Sequence, residues 1–247
     1  GRTQELIFEL NKIYDSETDP RRQELMDVKV YIDSPMANAA TDVFKNNAQV
    51  FDEETKDYIS KGDNPLEFEN LKFTRSTEES QWLNIDRKPK VIISASGMCE
   101  AGRIRHHLKH NLWDARNSII FVGYQAEGTL GRMLVEGAKE VTLFGEKIQV
   151  NAKIHNLEGF SGHADRDGLL AWLKGFQKQP KKIFLVHGEP EAKLDFARTV
   201  KETLGFDTIP VLANAEFALD GPEGAAVDMK AAMAEAVDEK SVNDARD

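Results

Sequence analysis

Four short apolar runs recur along the chain: VKVYID (28–33), VIISAS (91–96), SIIFVG (118–123) and KIFLVHG (182–188). Each is rich in valine and isoleucine and ends in small or polar residues, the pattern of strands buried on both faces. Helical periodicity fills the gaps. GRIRHHLKHNLWD (102–114) follows the second run, TLGRMLVEGA (129–138) the third, and EPEAKLDFARTVKETLG (189–205) the fourth. The last has Glu189 and Glu191 in its first turn and Gly205 as its stop. Strand, small-residue turn and helix, repeated, predict an α/β fold with a doubly wound, mostly parallel sheet. Residues 46–88 are more polar and predict helix plus a short strand at LKFTR (71–75). EKIQVNAKIHNLEGF (146–160) alternates instead, through Val150, Ala152, Ile154 and Leu157, and predicts an edge strand leaving the sheet. A domain boundary is expected beside it, giving a first domain over 1–158 and a second αβ piece over 159–220. The second piece would close with the strand IPVLANAEFAL (209–219), and the tail 221–247 would be a lone helix or disordered. Amphipathic stride begins at once, with Leu6, Ile7, Leu10, Ile13 and Tyr14, and the first residue is Gly1 rather than Met. The expectation is a fragment whose upstream part is missing.

Composition narrows the class. At 247 residues, 40% hydrophobic and 30% charged, the chain can bury a real core. Its apolar runs are too short to span a bilayer, and no leader precedes them, so a cytoplasmic protein with no membrane partner is expected. Cys99 is the single cysteine. No internal disulfide can form, and any metal must be held by histidines and carboxylates. The net charge of −10 argues mildly against a general nucleic-acid coat. Much of it sits in the tail, whereas basic residues cluster in RIRHHLKH (103–110).

Three strand ends carry small polar residues: DSPMA (33–37), SASGMCEAGR (94–103) and GYQAEGTLGR (123–132). Ligands of open α/β sheets bind at such ends, where helix N-termini offer free N–H groups to anions. Ser34, Ser94, Ser96, Gly97, Gly128 and Thr129, with Arg132 for charge, are therefore candidate phosphate contacts. Turn and N-cap chemistry explains any one loop better; three in one sheet leave that reading and a ligand evenly matched. No P-loop is present.

Among the histidines, His106, His107 and His110 share one predicted helix. His106 and His110 stand at the i,i+4 spacing of a metal pair, but the glutamate of an H-E-x-x-H site is missing, so a basic solvent face is expected. His155 belongs to the alternating strand and is expected at the surface. His163, in FSGHAD (160–165), and His187, in VHGE (186–189), are different. Each follows a strand-like run and sits in a glycine-containing loop that opens a helix with acids in its first turn. Packing explains an imidazole poorly at such a tip. Two histidines are nonetheless fewer than the three protein ligands of a catalytic zinc.

In order, GRTQELIFEL, VIISASGMCEAGRIRHHL, IFVGYQAEGTLGR, FSGHADRDGLLAWL and FLVHGEPEAKLDF resemble the β-CASP nucleases of the metallo-β-lactamase fold, a family of RNA-processing enzymes. The resemblance covers residues 1 to about 220. It implies that 1–158 is a β-CASP domain and 159–220 the C-terminal segment of a metallo-β-lactamase domain, with the active site in the cleft between the two. It further implies a ribonuclease with two zinc ions that hydrolyses phosphodiester bonds of single-stranded RNA. His163 would lie by the scissile phosphate and be catalytic, and His187 would be a zinc ligand. Arg103, Arg105 and Arg132 would add charge along the RNA. The family's H-x-H-x-D-H motif is not in this sequence. The missing N-terminal metallo-β-lactamase part is thus an expected partner, a homodimer is a candidate assembly, and the chain alone is not expected to bind zinc fully. Two other readings compete: an RNA- or partner-binding fragment without catalysis, and a nucleotide-binding α/β domain, ranked last for want of a fingerprint.

Overall fold

The computed structural model describes residues 1–15, 27–160, 162–211 and 217. They form two compact units that divide between Ser161 and Gly162. The tail 221–247 and most of the predicted strand 209–219 lie outside the described residues.

The first unit opens with helix α1 (Arg2–Asp15), which buries Ile7 and donates a hydrogen bond from Tyr14 to the Val28 carbonyl at 2.7 Å. Strand β1 (Lys29–Ile32) is central. It pairs in parallel with β2 (Leu71–Phe73) on one side and β3 (Lys90–Ile93) on the other. Three helices make the crossovers: α2 (Pro35–Asn46), α3 (Glu53–Ser60) and α4 (Thr77–Ile85). Each start is written locally. Ser34 caps α2 ahead of a proline, Asp52 caps α3, and Ser76 with Glu79 forms a capping box on α4. Ile7, Val30, Ile32, Leu66 and Leu71 make the core on this side.

After β3 come α5 (Arg103–Asn111), β4 (Ser118–Phe121) and α6 (Leu130–Val135). Strands β5 (Glu140–Leu143) and β6 (Glu146–Gln149) form an antiparallel hairpin, and β7 (Lys153–Asn156) pairs in parallel with β4. Leu108, Leu112, Phe121, Leu134 and Leu143 form a second core. Among the described residues all ladders but one hairpin are parallel, as an α/β fold requires. Two expectations need correction. Residues 146–160 are not one edge strand leaving the sheet, because the alternation breaks at Asn151 and its second half returns as the partner of β4. The helix over 35–46 escaped the periodicity because its buried face is only Ala37 and Thr41.

In the second unit, α7 (Arg166–Lys174), β8 (Phe184–Leu185), α8 (Pro190–Leu204) and β9 (Ile209–Pro210) follow in order, with β8 parallel to β9. Gly205 ends α8 at φ 71°, the left-handed stop that favours glycine. The core here is small: Leu170, Leu173 and Val200, flanked by Ile183, Phe196 and Leu204. Among the described residues no helix is long and apolar enough to cross a membrane.

One buried charge ties the first unit together. Asp33, just past β1, is fully buried. Its Oδ1 accepts from Arg103 Nη1 at 2.6 Å and from the Thr74 hydroxyl. Its Oδ2 accepts from Ser80 Oγ and from His107 Nε2, each at 2.6 Å. His107 is 5% exposed, so it does not belong to a basic solvent face. Its Nδ1 meets Asn84 Oδ1 at 2.8 Å. Asn111 Nδ2, which donates to the His107 carbonyl at 2.8 Å and to the same Asn84 oxygen at 3.3 Å, orients that amide. Both ring nitrogens are thus held by side-chain oxygens, which fixes the plane of the ring.

Burial by itself would push the Asp33 carboxyl up. The hydrogen bonds from His107, Ser80, Thr74 and Arg103 outweigh it and hold the group well below the usual carboxylate range. A depressed pKa contributes stability above the unfolded value, near 3.9, and loses it as pH falls below that. Asp33→Asn should therefore cost about 3–5 kcal/mol in urea unfolding near neutral pH, because the four donors gathered around the buried carboxylate lose its charge. The gap between wild type and variant should shrink as pH falls below about 4. A gap that stays constant through that range would show that the carboxylate is not the source.

Candidate functional site

With strand order β2-β1-β3, the chain reverses direction across the sheet between β1 and β3. Open α/β sheets bind ligands at that switch point, outside the carboxyl ends of the strands. The loops there are DSPMA and SASGMCEAGR, two of the three singled out by composition.

The structure separates their residues by role. Ser34 is buried, and its hydroxyl caps the N–H of Ala37 at 3.2 Å. Ser94 donates its hydroxyl to the Asp33 carbonyl at 3.0 Å. Both serve the fold. Ser96 is held at φ 87°, and its hydroxyl accepts the N–H of Ala101 at 3.3 Å. Gly97 is exposed, with nothing within 4 Å of where a Cβ would stand. These two form the rim.

The 94–102 loop is fastened to the third loop. Gly131 N donates to the Met98 carbonyl at 3.1 Å, and Ala126 N meets Met98 Sδ at 3.2 Å. Glu100 Oε1 accepts the N–H of Leu130 at 2.6 Å, and Thr129 Oγ1 accepts that of Arg132 at 3.3 Å. The start of α6 thus already carries the protein's own carboxylate where an anion would sit. Gly128 is exposed beside it at φ 74°, and Thr129 gives its proton to the Ala126 carbonyl at 2.7 Å. Ordinary capping accounts for both.

The arginines are also engaged. Arg103 is spent on Asp33, and Arg132 Nε meets Glu136 at 2.6 Å. Arg105 Nη1 donates to the Glu100 carbonyl at 3.3 Å, alongside the rim loop. Cys99 lies in the same loop, 3% exposed. Burial, with the negative charge of Glu100, pushes its thiol up to about 11, which removes it as a nucleophile. His106 and His110 are exposed, as is His155 on β7.

His163 and His187 fall in the second unit, and their settings match. Each is exposed, and each stands two residues before the acid that begins a helix: Asp165 before α7 and Glu189 before α8. Asp165 Oδ1 accepts the N–H of Gly168 at 2.8 Å. His187 is itself at φ 62°, and Gly188 follows at φ 117°. A cavity of about 500 Å³ opens here, with Arg166, Leu169, Trp172, Phe184, His187 and Phe196 among its walls. The start of α7 and the His187 turn therefore border one space. Among the described residues no three of His, Cys, Asp or Glu gather to hold a metal, so these residues by themselves do not fit a zinc centre.

Sequence reasoning missed Asp33, Glu100 and His107. A signal existed for His107: Ile104, His107, Leu108 and Asn111 lie at i, i+3, i+4 and i+7, one helical stripe whose middle pair is buried. An acid ending a buried strand, as Asp33 does, likewise implies donors waiting for it.

Comparison with known proteins gives the context. Residues 3–134 match the model of the Beta-Casp domain, and residues 147–211 that of the Zn-dependent metallo-hydrolase RNA specificity domain. A ribonuclease of Thermus thermophilus is 42% identical over 165 residues, 67% of this chain and 37% of the relative. The transcription termination factor FttA of Methanocaldococcus jannaschii is 38% identical over 207 residues, 81% of this chain and 31% of that protein. An RNase J-like protein of the same organism is 36% identical over 212 residues, 85% and 46% of the two chains. The chain thus spans less than half the length of each of these relatives. Two family models in succession, on a parallel α/β unit followed by the histidine corners, establish that the chain belongs to the β-CASP family of the metallo-β-lactamase fold.

Proposed function

We propose that this chain is part of a zinc-dependent ribonuclease that hydrolyses phosphodiester bonds of single-stranded RNA, with His187 as a metal ligand and His163 at the phosphate. The observation that carries this reading is the backbone of His187. A non-glycine residue at positive φ costs of order 1–3 kcal/mol and persists where the surroundings impose it. Here the strain holds an exposed imidazole at the end of β8, where packing gains nothing from it. Two of the relatives bear ribonuclease names, which supports RNA as the substrate class.

The remaining ligands would come from residues outside those described. Zinc, when bound, supplies Lewis acidity toward the phosphate. His187 would hold the metal through one ring nitrogen. His163 would hold the scissile phosphate or give a proton to the departing oxygen. Ser96 and Gly97 would contact backbone phosphates, with Arg105 beside them. The absence of a three-ligand cluster among the described residues favours one alternative, an RNA-binding unit without catalysis of its own. Metal content separates the two: the first reading requires about two zinc ions per active site in a catalytically competent protein, the second close to none.

His187→Gly tests the metal role without harming the fold, because glycine relieves the strain. In a polypeptide that also carries the portion present in the relatives, bound zinc should fall and cleavage should drop more than about a hundredfold. Stability should change by no more than about 1 kcal/mol. Full zinc and full rate in this variant would remove His187 from the site.

His163→Ala should behave differently. Zinc content and RNA affinity should hold, while the rate falls at least about a hundredfold, the low end of what proton transfer by a positioned side chain contributes. Loss of zinc in this variant would make His163 a ligand instead.

A further inference from the structure

Strands β5 and β6 are joined by the two-residue turn Phe144–Gly145, with φ 53° and 78°. Two positive φ values define the type I′ hairpin, whose first central position strongly prefers Asn, Asp or Gly. Phenylalanine is out of place there, and it remains 46% exposed. Its ring stacks on the His106 imidazole, centroids 4.6 Å apart and planes 24° apart. The Arg105 guanidinium lies 4.9 Å from the ring centroid and the Lys109 ammonium 6.0 Å. Fastening the hairpin to α5 does not need this ring, because Lys109 already meets Glu146 at 2.6 Å. Two cations and an imidazole lie against it, which suits a flat, anionic ligand.

The ring is also continuous with the rim loop. Arg105 touches both, through its bond to the Glu100 carbonyl and its place over Phe144. His106 stands four residues into the chain from Gly102, about 6 Å along the helix axis.

We propose that Phe144, backed by His106 and flanked by Arg105, is a base-stacking platform that takes single-stranded RNA as it leaves the Ser96–Gly97 rim. The inference rests on the proposal that this chain acts on RNA, and it adds a second contact that short ligands would not reach.

Phe144→Asn is the test, because turn chemistry and stacking then predict opposite signs. Asparagine suits the type I′ turn, so the thermal midpoint of the 247-residue chain should stay level or rise. Binding would be read by fluorescence anisotropy with labelled oligouridylates of about two and about twelve nucleotides. Affinity for the longer should fall about five- to a hundredfold, the loss expected for one stacked base, while the shorter binds as before. Phe144→Trp should retain the affinity. Should Phe144→Asn lower the thermal midpoint, His106→Ala, a change at an exposed position, carries the same length comparison and should show the same selective loss. Unchanged affinity for the longer oligomer overturns the platform while leaving the RNA reading intact, as would an equal loss at both lengths, which would mean that the turn shapes the rim instead. Absence of RNA binding by the wild-type chain at either length would remove both proposals.

Discussion

The Asp33 carboxylate is buried where the sheet changes direction, and the first unit is arranged to satisfy it. Moving a carboxylate out of water costs several kcal/mol even after the protein relaxes. The donors that repay this come from separate parts of the chain: Thr74 past β2, Ser80 from α4, Arg103 and His107 from α5. Ser94 adds a bond to the Asp33 carbonyl, and Asp33 N donates to the Ile93 carbonyl at 2.8 Å. Both sides of β1 and both helices beyond its end are thereby fixed to one point. The pairing is indivisible in energy: replacing the whole group by apolar residues could be tolerated, but removing one member strands the others.

That same group decides where a ligand can go. The switch-point crevice of an α/β sheet is ordinarily open to substrate. Here a carboxylate and its donors fill it, and Glu100 fills the start of α6 in the same way. Negative groups of the chain itself occupy the two inner anion positions. Under the proposed RNA reading, an external phosphate would be left the outer rim, Ser96 and Gly97, in the loop whose Glu100 carbonyl Arg105 holds.

Much of this was legible in the sequence, and the failures have identifiable causes. Val-rich runs located β1, β3, β4 and β8, and Gly205 located the end of α8, because burial on both faces and a left-handed stop leave strong local marks. The alternation over 146–160 announced extended chain but could not say which strand it would join. The partner of β7 is β4, some thirty residues earlier, a choice made by packing. His107 was placed on a solvent face by counting charges along RIRHHLKH rather than following the stripe from Ile104 to Asn111. Its burial depends on Asp33, seventy-four residues away, which no local pattern reports. His163 and His187 stood out because packing does not explain an imidazole in a glycine-containing loop that opens a helix.

Backbone strain sharpens this distinction. Among the described residues, four non-glycine residues adopt positive φ: Ser96, Cys99, Phe144 and His187. Each costs of order 1–3 kcal/mol, and strain alone does not say why it is kept. Cys99 is the control. It is buried, its thiol is pushed up to about 11, and its conformation serves the turn that returns Met98 and Glu100 toward α6. Phe144 and His187 are exposed and Ser96 is half-buried, so in the first two the conformation holds out a group instead of packing it away. A hydroxyl, an aromatic ring and an imidazole are the groups that the proposed phosphate, base and metal contacts would use. Strain combined with exposure, rather than either alone, therefore sets Phe144 and His187 apart from the buried Cys99.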